Sequence, residues 1–304
     1  MSASEVAPTT TAADNSGVVV VDKPAGWTSH QVVGRARRLL GTRKIGHAGT
    51  LDPMATGVLV LGVGRATRLL GQLALTDKAY DATIRLGIST VTDDAEGEII
   101  DRREVPVLTD DLIERAVASL RGAIAQVPAA VSAIKVSGVR SYARVRSGED
   151  VALAARPVTV SRLDVLARRA SAADGLDVID LDVVVECSSG TYVRALARDL
   201  GAALGTGGHL TVLRRTRVGP FTLDEAQFLD ADALSVLDLS KVARRCFPVL
   251  TVDAERATAI RHGRRLPEVT LPGEPTALFD PGGDFLALYR RLGRDAVPEA
   301  VFVG

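Results

Sequence analysis

A single carboxylate, Asp52, lies in an unusual setting within the stretch Lys44 to Gly57, which reads KIGHAGTLDPMATG. A positioned carboxylate can add covalently to an electrophilic carbon or accept a proton. Pro53 fixes the bend after the acid, and Gly49 lets another molecule approach the main chain closely. Taken alone, an Asp-Pro pair more often marks a turn in which the aspartate bonds to its own backbone.

The residues after this loop predict the element that holds it. Residues 58–63 form the apolar run VLVLGV, which predicts a buried strand. A loop braced on a buried strand can hold one acid in a fixed position. His47 is the only other group in the stretch that titrates near neutrality.

Two shorter motifs place a lysine and a tyrosine on or beside strands. Residues 18–21 are four valines and predict a short buried strand, after which Lys23 lies in a Pro/Gly turn. Residues 78–87 alternate like a strand, and this strand carries Tyr80. A tyrosine ring stacks on a base and its hydroxyl offers a polar contact, although most strand tyrosines are simply half-buried.

A further motif, SSGTYVRAL at residues 188–196, contains Tyr192 and Arg194 and leads into a helix predicted to reach Leu204. An arginine beside a carboxylate keeps it ionised and orients it through charge-assisted hydrogen bonds. Leu213 lies on the next predicted strand, residues 210–215. Without other evidence, such an arginine is more often a surface residue and such a leucine a core residue.

Together these motifs resemble those of the TruB family of tRNA pseudouridine synthases, in the family's order, over roughly residues 18–221. The motif around Asp52 is specific to TruB and its dyskerin-like relatives, because other pseudouridine synthase families use an Arg-Leu-Asp core. The resemblance implies that Asp52 is the nucleophile. The other implied roles are loop support for Lys23, contact with the base for Tyr80 and Tyr192, an ion pair with Asp52 for Arg194, and an apolar pocket wall for Leu213.

Two expectations follow for the chemistry of this site. We expect Arg194 to hold the pKa of Asp52 below its ordinary range. A base stacked in an RNA fold must be extruded before it reacts, and His47 is the candidate that fills the resulting gap with its flat ring.

The predicted fold is α+β. The resemblance implies a pseudouridine-synthase-like mixed, mainly antiparallel sheet with flanking helices, plus a small β-rich, PUA-like C-terminal domain. We expect a disordered tail at residues 1–16, a catalytic domain at 17–240 and a PUA-like RNA-binding domain at 247–304. A capping box at Thr28 and Gln31 predicts a helix to Leu40, and the acidic residues 92–97 predict an exposed hairpin loop.

The composition, 46% hydrophobic and 24% charged, is that of a soluble globular protein, and two cysteines favour a reduced, cytoplasmic one. Lys and Arg total 37 and so do Asp and Glu, whereas a nucleic-acid binder is usually basic. The basic residues nevertheless cluster in residues 33–68, 214–217 and 261–265, which predicts a basic face for RNA. The histidines lack zinc spacing, no nucleotide-binding glycine pattern occurs, and no apolar run could span a membrane. We therefore expect no metal, no cofactor and no membrane contact.

The resemblance implies isomerisation of the uridine at position 55 in the T loop of tRNA, by a monomer that needs no protein partner. Two alternatives stay open. A dyskerin-like, guide-RNA-dependent synthase shares the Asp52 motif but usually carries longer terminal extensions. A non-catalytic tRNA-binding or folding module would need the basic face but not Asp52. A glycosidase is a distant third, because no second placed acid is apparent.

Overall fold

The computed structural model describes residues 16–129, 135–136, 139–140, 154–230 and 232–303. The tail expected at residues 1–16 lies outside this part of the chain, apart from Ser16.

Within these ranges the chain forms six α-helices and two short 3₁₀ helices. The α-helices are α1 (Ser29–Leu39), α2 (Leu70–Ala74), α3 (Asp110–Ala118), α4 (Val193–Ala203), α5 (Leu239–Cys246) and α6 (Ala254–Arg261). The 3₁₀ helices are Gly64–Leu69 and Leu223–Glu225.

Eighteen strands are formed by the same described residues. Those before α4 are β1 (Gly17–Lys23), β2 (Ile45–His47), β3 (Thr56–Val63), β4 (Lys78–Leu86), β5 (Ile88–Thr90), β6 (Ile99–Arg102), β7 (Gly122–Gln126), β8 (Lys135–Val136), β9 (Val139–Arg140), β10 (Arg156–Ala173) and β11 (Leu176–Cys187). Those after it are β12 (Gly208–Val218), β13 (Phe221–Thr222), β14 (Leu237–Asp238), β15 (Val249–Thr251), β16 (Thr276–Phe279), β17 (Phe285–Leu292) and β18 (Asp295–Val301).

Ten of the strands form one mixed sheet with the order β14-β1-β3-β12-β4-β11-β10-β7, to which β13 adds beside β12 and β2 beside β3. All its pairs are antiparallel except β3 with β12. This parallel pair brings β3, which follows the Asp52 loop, beside β12, which carries Leu213. The predicted α+β fold with a mainly antiparallel sheet is confirmed.

Helix α1 forms as its sequence predicts. Thr28 and Gln31 make the complete capping box, and Val32, Val33 and Ala36 pack into the core. Ser29 in the first turn is buried, and its hydroxyl both accepts from the Leu51 N–H (2.9 Å) and donates to the Leu51 carbonyl (3.1 Å). The helix therefore holds the residue directly before Asp52.

The sheet is covered on both faces, which explains why β1 is a continuous run of valines. Val19 and Val21 face the core that contains α1, whereas Val18 and Val20 face a second core. That second core includes Phe279 and other residues of the small four-stranded C-terminal sheet, β15-β16-β17-β18. The C-terminal β domain is thus packed on the ten-stranded sheet.

Candidate active site

Lys23 supports the loop that carries Asp52 by bonding to backbone carbonyls. This lysine is fully buried, and its ammonium group donates to the carbonyls of Trp27 (2.6 Å), Pro24 (2.9 Å) and Pro53 (3.1 Å). Burial lowers the pKa of Lys23 to about 8, an effect that the nearby Asp52 partly opposes. The cation thus ties the Pro/Gly turn after β1 to the residue that follows Asp52.

A second buried cation, Arg215 on β12, holds the same loop from the side of the sheet. It is 1% exposed and donates to the carbonyls of Val58 (2.7 Å), Gly49 (3.2 Å) and Thr50 (3.4 Å). Two of these carbonyls precede Asp52 in the loop and the third lies on the strand that follows it, so the arginine fixes the backbone on both sides of the acid. Its positive charge also acts on the Tyr80 phenol, whose pKa it lowers against the larger effect of burial.

Glycine is required where this loop joins its strand. Gly57 has φ +99°, and a Cβ there would lie 2.2 Å from the Arg215 carbonyl oxygen. Gly49 has φ +91°. Both values lie in the left-handed region that other residues rarely adopt.

Asp52 makes an ion pair with Arg194, in the first turn of α4, with 3.0 Å between Oδ2 and Nε. Arg194 also contacts the carboxylate of Asp94 at 3.1 Å and donates to the Thr92 carbonyl at 2.9 Å. The arginine and Asp94 side chains are 7% and 3% exposed, whereas that of Asp52 is 36% exposed. One buried guanidinium therefore bridges a buried acid and an acid that is only partly exposed.

The expectation that residues 92–97 form an exposed acidic loop is wrong for its two aspartates. Asp93 and Asp94 are 8% and 2% exposed. Each has an arginine of α4 as partner, since Arg198 pairs with Asp93 at 3.2 Å. Because burying a carboxylate requires a partner, these two arginines, one helical turn apart, offset the cost of burying the two acids. Burial raises the pKa of Asp93 to about 6.

The expected low pKa of Asp52 is also wrong. Burial raises the pKa of this carboxyl above its ordinary value, and Arg194 only partly offsets the effect. The neighbouring charge of Asp94 raises it further. The ionised form of Asp52 is therefore less favourable here than in water. Its carboxylate is less well solvated and more basic than that of an ordinary aspartate.

A pocket of about 300 Å³ opens beside Asp52. Tyr80, Tyr192, Arg194 and Leu213 line it, as the resemblance implied. Tyr80 and Leu213 are buried, and burial raises the pKa of the Tyr80 phenol, which keeps it neutral. An aromatic ring and an aliphatic side chain beside one ionised pair suit a flat, uncharged ring such as uracil.

Tyr192 is the N-cap residue of α4 and is held by its backbone. The side chain of Gln126 accepts from the Tyr192 N–H at 2.8 Å and donates to its carbonyl at 3.1 Å. Gln126, on β7, is 2% exposed. These two bonds fix the start of the helix that presents Arg194.

Two of the predicted site residues lie outside this pocket. Lys23 bonds to the backbone of the Asp52 loop, as described above. His47, on β2, packs edge to face against His30 with ring centroids 5.6 Å apart. Burial lowers the pKa of His47, so its ring is neutral at pH 7.

Four residues that shape the site were not predicted from the sequence: Asp94, Gln126, Lys78 and Arg215. Alternation along the strands could have revealed two of them, because residues two apart on a strand share a face. Lys78 lies two residues before Tyr80 and Arg215 two residues after Leu213, and both line the pocket. No comparable periodicity points to Asp94 or Gln126.

The expected basic face is smaller than the sequence suggests. Within residues 214–217, Arg214 pairs with Asp22 (2.7 Å), Arg215 is buried and Arg217 pairs with Glu186 (2.9 Å). Arg65 and Arg68 donate to backbone carbonyls at the C-terminus. Many arginines of these basic clusters therefore bond to other groups of the protein itself.

Two further surveys cover only the described residues. No group of three or more His, Cys, Asp or Glu side chains there could hold a metal ion. None of the helices in that part of the chain has the length and apolar character needed to cross a membrane.

Comparison with known families agrees with the geometry. Residues 37–193 match the model of the TruB family pseudouridylate synthase N-terminal domain. Residues 194–244 match a tRNA pseudouridylate synthase B C-terminal domain, and residues 247–303 match the C-terminal domain of tRNA pseudouridine synthase II.

Individual relatives are similar over nearly the whole chain. The tRNA pseudouridine synthase B of Arthrobacter sp. (strain FB24) is 59% identical over 94% of this chain and 96% of that protein. The enzyme of the same name from Nocardia farcinica (strain IFM 10152) is 60% identical over 98% and 96%. A solved Cbf5-Nop10-Gar1 complex contains a chain of TM-score 0.69 and 26% identity, aligned over 94% of this chain and 85% of that one. The chain therefore belongs to the TruB family of pseudouridine synthases and is an isomerase.

Proposed function

We propose that this enzyme converts the uridine at position 55 in the T loop of tRNA to pseudouridine, with Asp52 as the nucleophile. The observation that carries the proposal is the ion pair of Asp52 with Arg194 at the mouth of a pocket walled by Tyr80 and Leu213. The relatives named tRNA pseudouridine synthase B support tRNA as the substrate.

The reaction retains every atom of the substrate. The bond between N1 of uracil and C1′ of the ribose breaks, a bond between C5 and C1′ forms, and the proton lost from C5 is balanced by one gained at N1. The Asp52 carboxylate adds covalently at C1′ or at C6 and is later expelled, which divides one difficult step into two. Because no electron is gained or lost and no water is consumed, this chemistry needs no cofactor, metal or second catalytic acid.

The raised pKa of Asp52 supports a nucleophilic role, because a poorly solvated carboxylate is a stronger base and nucleophile. In this proposal Arg194 orients that carboxylate through the bond from its Nε. Tyr80 and Tyr192 contact the base, and Leu213 forms the apolar wall of its pocket.

The target uridine must leave its stack to reach the pocket. His47 carries a flat, neutral ring on the short strand β2, and we propose that this ring stacks in the gap left by the base. Lys23 takes no part in the chemistry and positions the loop through the Pro53 carbonyl.

Several broader features belong to the same proposal. Residues 17–240 act as the catalytic domain, and residues 247–304 form a PUA-like domain that binds RNA. The enzyme is a cytoplasmic monomer that binds the T arm without a protein partner. The two bacterial relatives, 59% and 60% identical, support this reading over a guide-RNA-dependent one, since the Cbf5 chain is only 26% identical.

Incubation of the purified chain alone with an unmodified tRNA transcript, followed by mapping of pseudouridine, tests the proposal. We expect modification at position 55 only. Asp52→Asn should abolish it while tRNA affinity stays within about tenfold, roughly 1.4 kcal/mol, because the amide is nearly isosteric. Asp174→Asn, at a hairpin turn with φ +51°, is the matched control and should retain full activity.

Each other outcome has a distinct meaning. Substantial turnover by Asp52→Asn would show that another group is the nucleophile. Activity that requires an added guide RNA would favour the dyskerin-like alternative. Tight tRNA binding without modification by the wild-type chain would favour a folding module.

A further inference from the structure

The ring of His47, to which the proposed function gives the role of filling the gap, is not fixed by a hydrogen bond. Its Nδ1 is buried and has no hydrogen-bond partner among the described residues. Strand β2, which carries His47, is only three residues long and pairs within the ten-stranded sheet with β3 alone, where His47 lies opposite Leu61. The orientation of the ring must therefore come from packing.

His30 supplies a packing contact of defined geometry. Its ring meets that of His47 edge to face, with centroids 5.6 Å apart and an interplanar angle of 81°. Aromatic rings favour this T-shaped arrangement at centroid separations of about 4.5–7 Å. His30 is exposed, so its ring is not part of the core. The contact with His47 is what its position provides.

The helical turn that carries His30 is firmly placed. His30 lies in the first turn of α1, whose start is fixed by the capping box of Thr28 and Gln31. The preceding residue, Ser29, is buried and bonds twice to Leu51, the residue directly before the nucleophile. One pair of hydrogen bonds therefore sets the position of His30 relative to the reacting carboxylate.

The charges around the two rings keep His47 neutral. Burial lowers the pKa of His47, and the nearby His30 and Arg215 lower it further. A neutral imidazole enters a stack of bases without the cost of removing a charge from water.

A ring that fills a gap in an RNA stack must compete with the base that it replaces. Extruding the base costs unstacking energy, and a side chain that is free to rotate also loses entropy when it inserts. A ring already oriented by a neighbour avoids the second cost. One edge-to-face pair contributes a factor of about 2 to 12 to an equilibrium constant.

We propose that His30 is a positioning residue that orients the His47 ring for insertion into the RNA stack and so favours extrusion of the target uridine. The inference rests on the proposed function, in which His47 fills the gap. His30 takes no part in the bond changes at Asp52 and acts in the step that precedes them.

Single-turnover rates and affinities for a T-arm hairpin test the inference. We expect His30→Ala to lower the ratio of the rate constant to the dissociation constant about 2- to 12-fold. His30→Phe should restore most of this loss, because its ring keeps the edge-to-face contact. Leu166→Ala, at an exposed apolar residue on β10, is the control and should behave as wild type.

The His47→Ala background provides the decisive comparison, because His30 acts only through that ring. In this background His30→Ala should change the same ratio by less than about 1.5-fold, since the ring that it orients is absent. His30 is exposed, so its replacement leaves the core intact, and circular dichroism of each variant checks the fold.

An equal effect of His30→Ala in wild type and in His47→Ala would overturn the inference, because His30 would then be an independent RNA contact. A ratio that His30→Ala leaves unchanged, or that His30→Phe does not restore, would overturn it as well. Full activity of His47→Ala would overturn both the gap-filling role and the inference. A wild-type chain that does not modify the hairpin would instead overturn the proposed function.

Discussion

At the scale of single residues, Arg194 contacts two carboxylates that differ in environment. Its Nη1 holds the buried Asp94, and its Nε holds Asp52 at the mouth of the pocket. Asp94 thus fixes the arginine, and the arginine orients Asp52. The two neighbouring charges act in opposite directions on the pKa of Asp52, because Arg194 lowers it and Asp94 raises it.

Replacing Arg194 should shift the acid limb of the pH–rate profile upward. Burial raises the pKa of Asp52, so we expect the wild-type limb to lie above that of an ordinary aspartate. Arg194→Met removes the largest opposing influence, and Arg194→Lys should restore only part of the rate, because an ammonium lacks the planar fork. Single-turnover rates against pH measure the effect. Arg169→Met, at an exposed arginine that pairs with Asp182 on the β10–β11 hairpin, is the control; an unshifted limb in folded Arg194→Met would exclude the proposed pairing.

Asp94→Asn should shift the same limb in the opposite direction. The amide keeps the shape but removes a negative charge that raises the pKa of Asp52. Turnover should nevertheless fall about 10- to 100-fold, because Arg194 loses its buried charged partner and its fixed position. The same single-turnover series, with circular dichroism as the test of folding, separates the two effects. An upward shift would contradict this account.

At the scale of elements, the Asp52 loop is held by three neighbours that approach from different directions. Lys23 at the end of β1, Ser29 at the start of α1 and Arg215 on β12 all bond to backbone atoms of the loop or the strand that follows it. Each of these groups is buried. The loop is therefore a rigid part of the sheet, which suits a nucleophile that must meet one carbon atom.

Gly57→Ala should disrupt this arrangement. A left-handed φ and a Cβ 2.2 Å from the Arg215 carbonyl together predict a loss of roughly 2–6 kcal/mol in the free energy of unfolding. Gly34→Ala, within α1 and with no heavy atom within 4 Å of the new Cβ, should instead stabilise by about 0.5–1 kcal/mol. Urea denaturation of both variants gives the comparison. Similar stabilities for the two would show that the junction tolerates a side chain.

At the scale of the whole molecule, the zero net charge is consistent with RNA binding only because some basic residues are paired within the protein and others remain exposed. The chain has 37 basic and 37 acidic residues. Arg214 and Arg217 are neutralised by ion pairs, and Arg65 and Arg68 anchor the C-terminal residues to the 3₁₀ helix after β3. The arginines that remain available to RNA include Arg38 on α1 and Arg43 between α1 and β2, and both are exposed.

The salt dependence of tRNA binding should therefore reflect a few arginines. Arg43→Ala should reduce the slope of log K against log salt by about 0.7–0.9, the value for one lost phosphate contact. Arg169→Ala is the matched control, because this arginine is paired with Asp182 on the β10–β11 hairpin. Titrations at several salt concentrations give both slopes. Equal slopes for Arg43→Ala and wild type would place the RNA elsewhere.

The sequence by itself determined the features that depend on neighbours along the chain. The capping box of α1 and the valine strand β1 follow from local patterns, and the structure confirms them. The motif around Asp52 indicated the family. The matching motifs predicted the pocket residues Tyr80, Tyr192, Arg194 and Leu213.

Only the tertiary structure decided the environment of the charges. Asp94 meets Arg194 across 100 positions in sequence, and Arg215 is buried although it lies in a run of arginines. Local pattern cannot distinguish a solvated acid from one that is buried with a distant partner. The pKa of Asp52 is raised for the same reason, since the burial that exceeds the effect of Arg194 comes from strands and loops brought together by the fold.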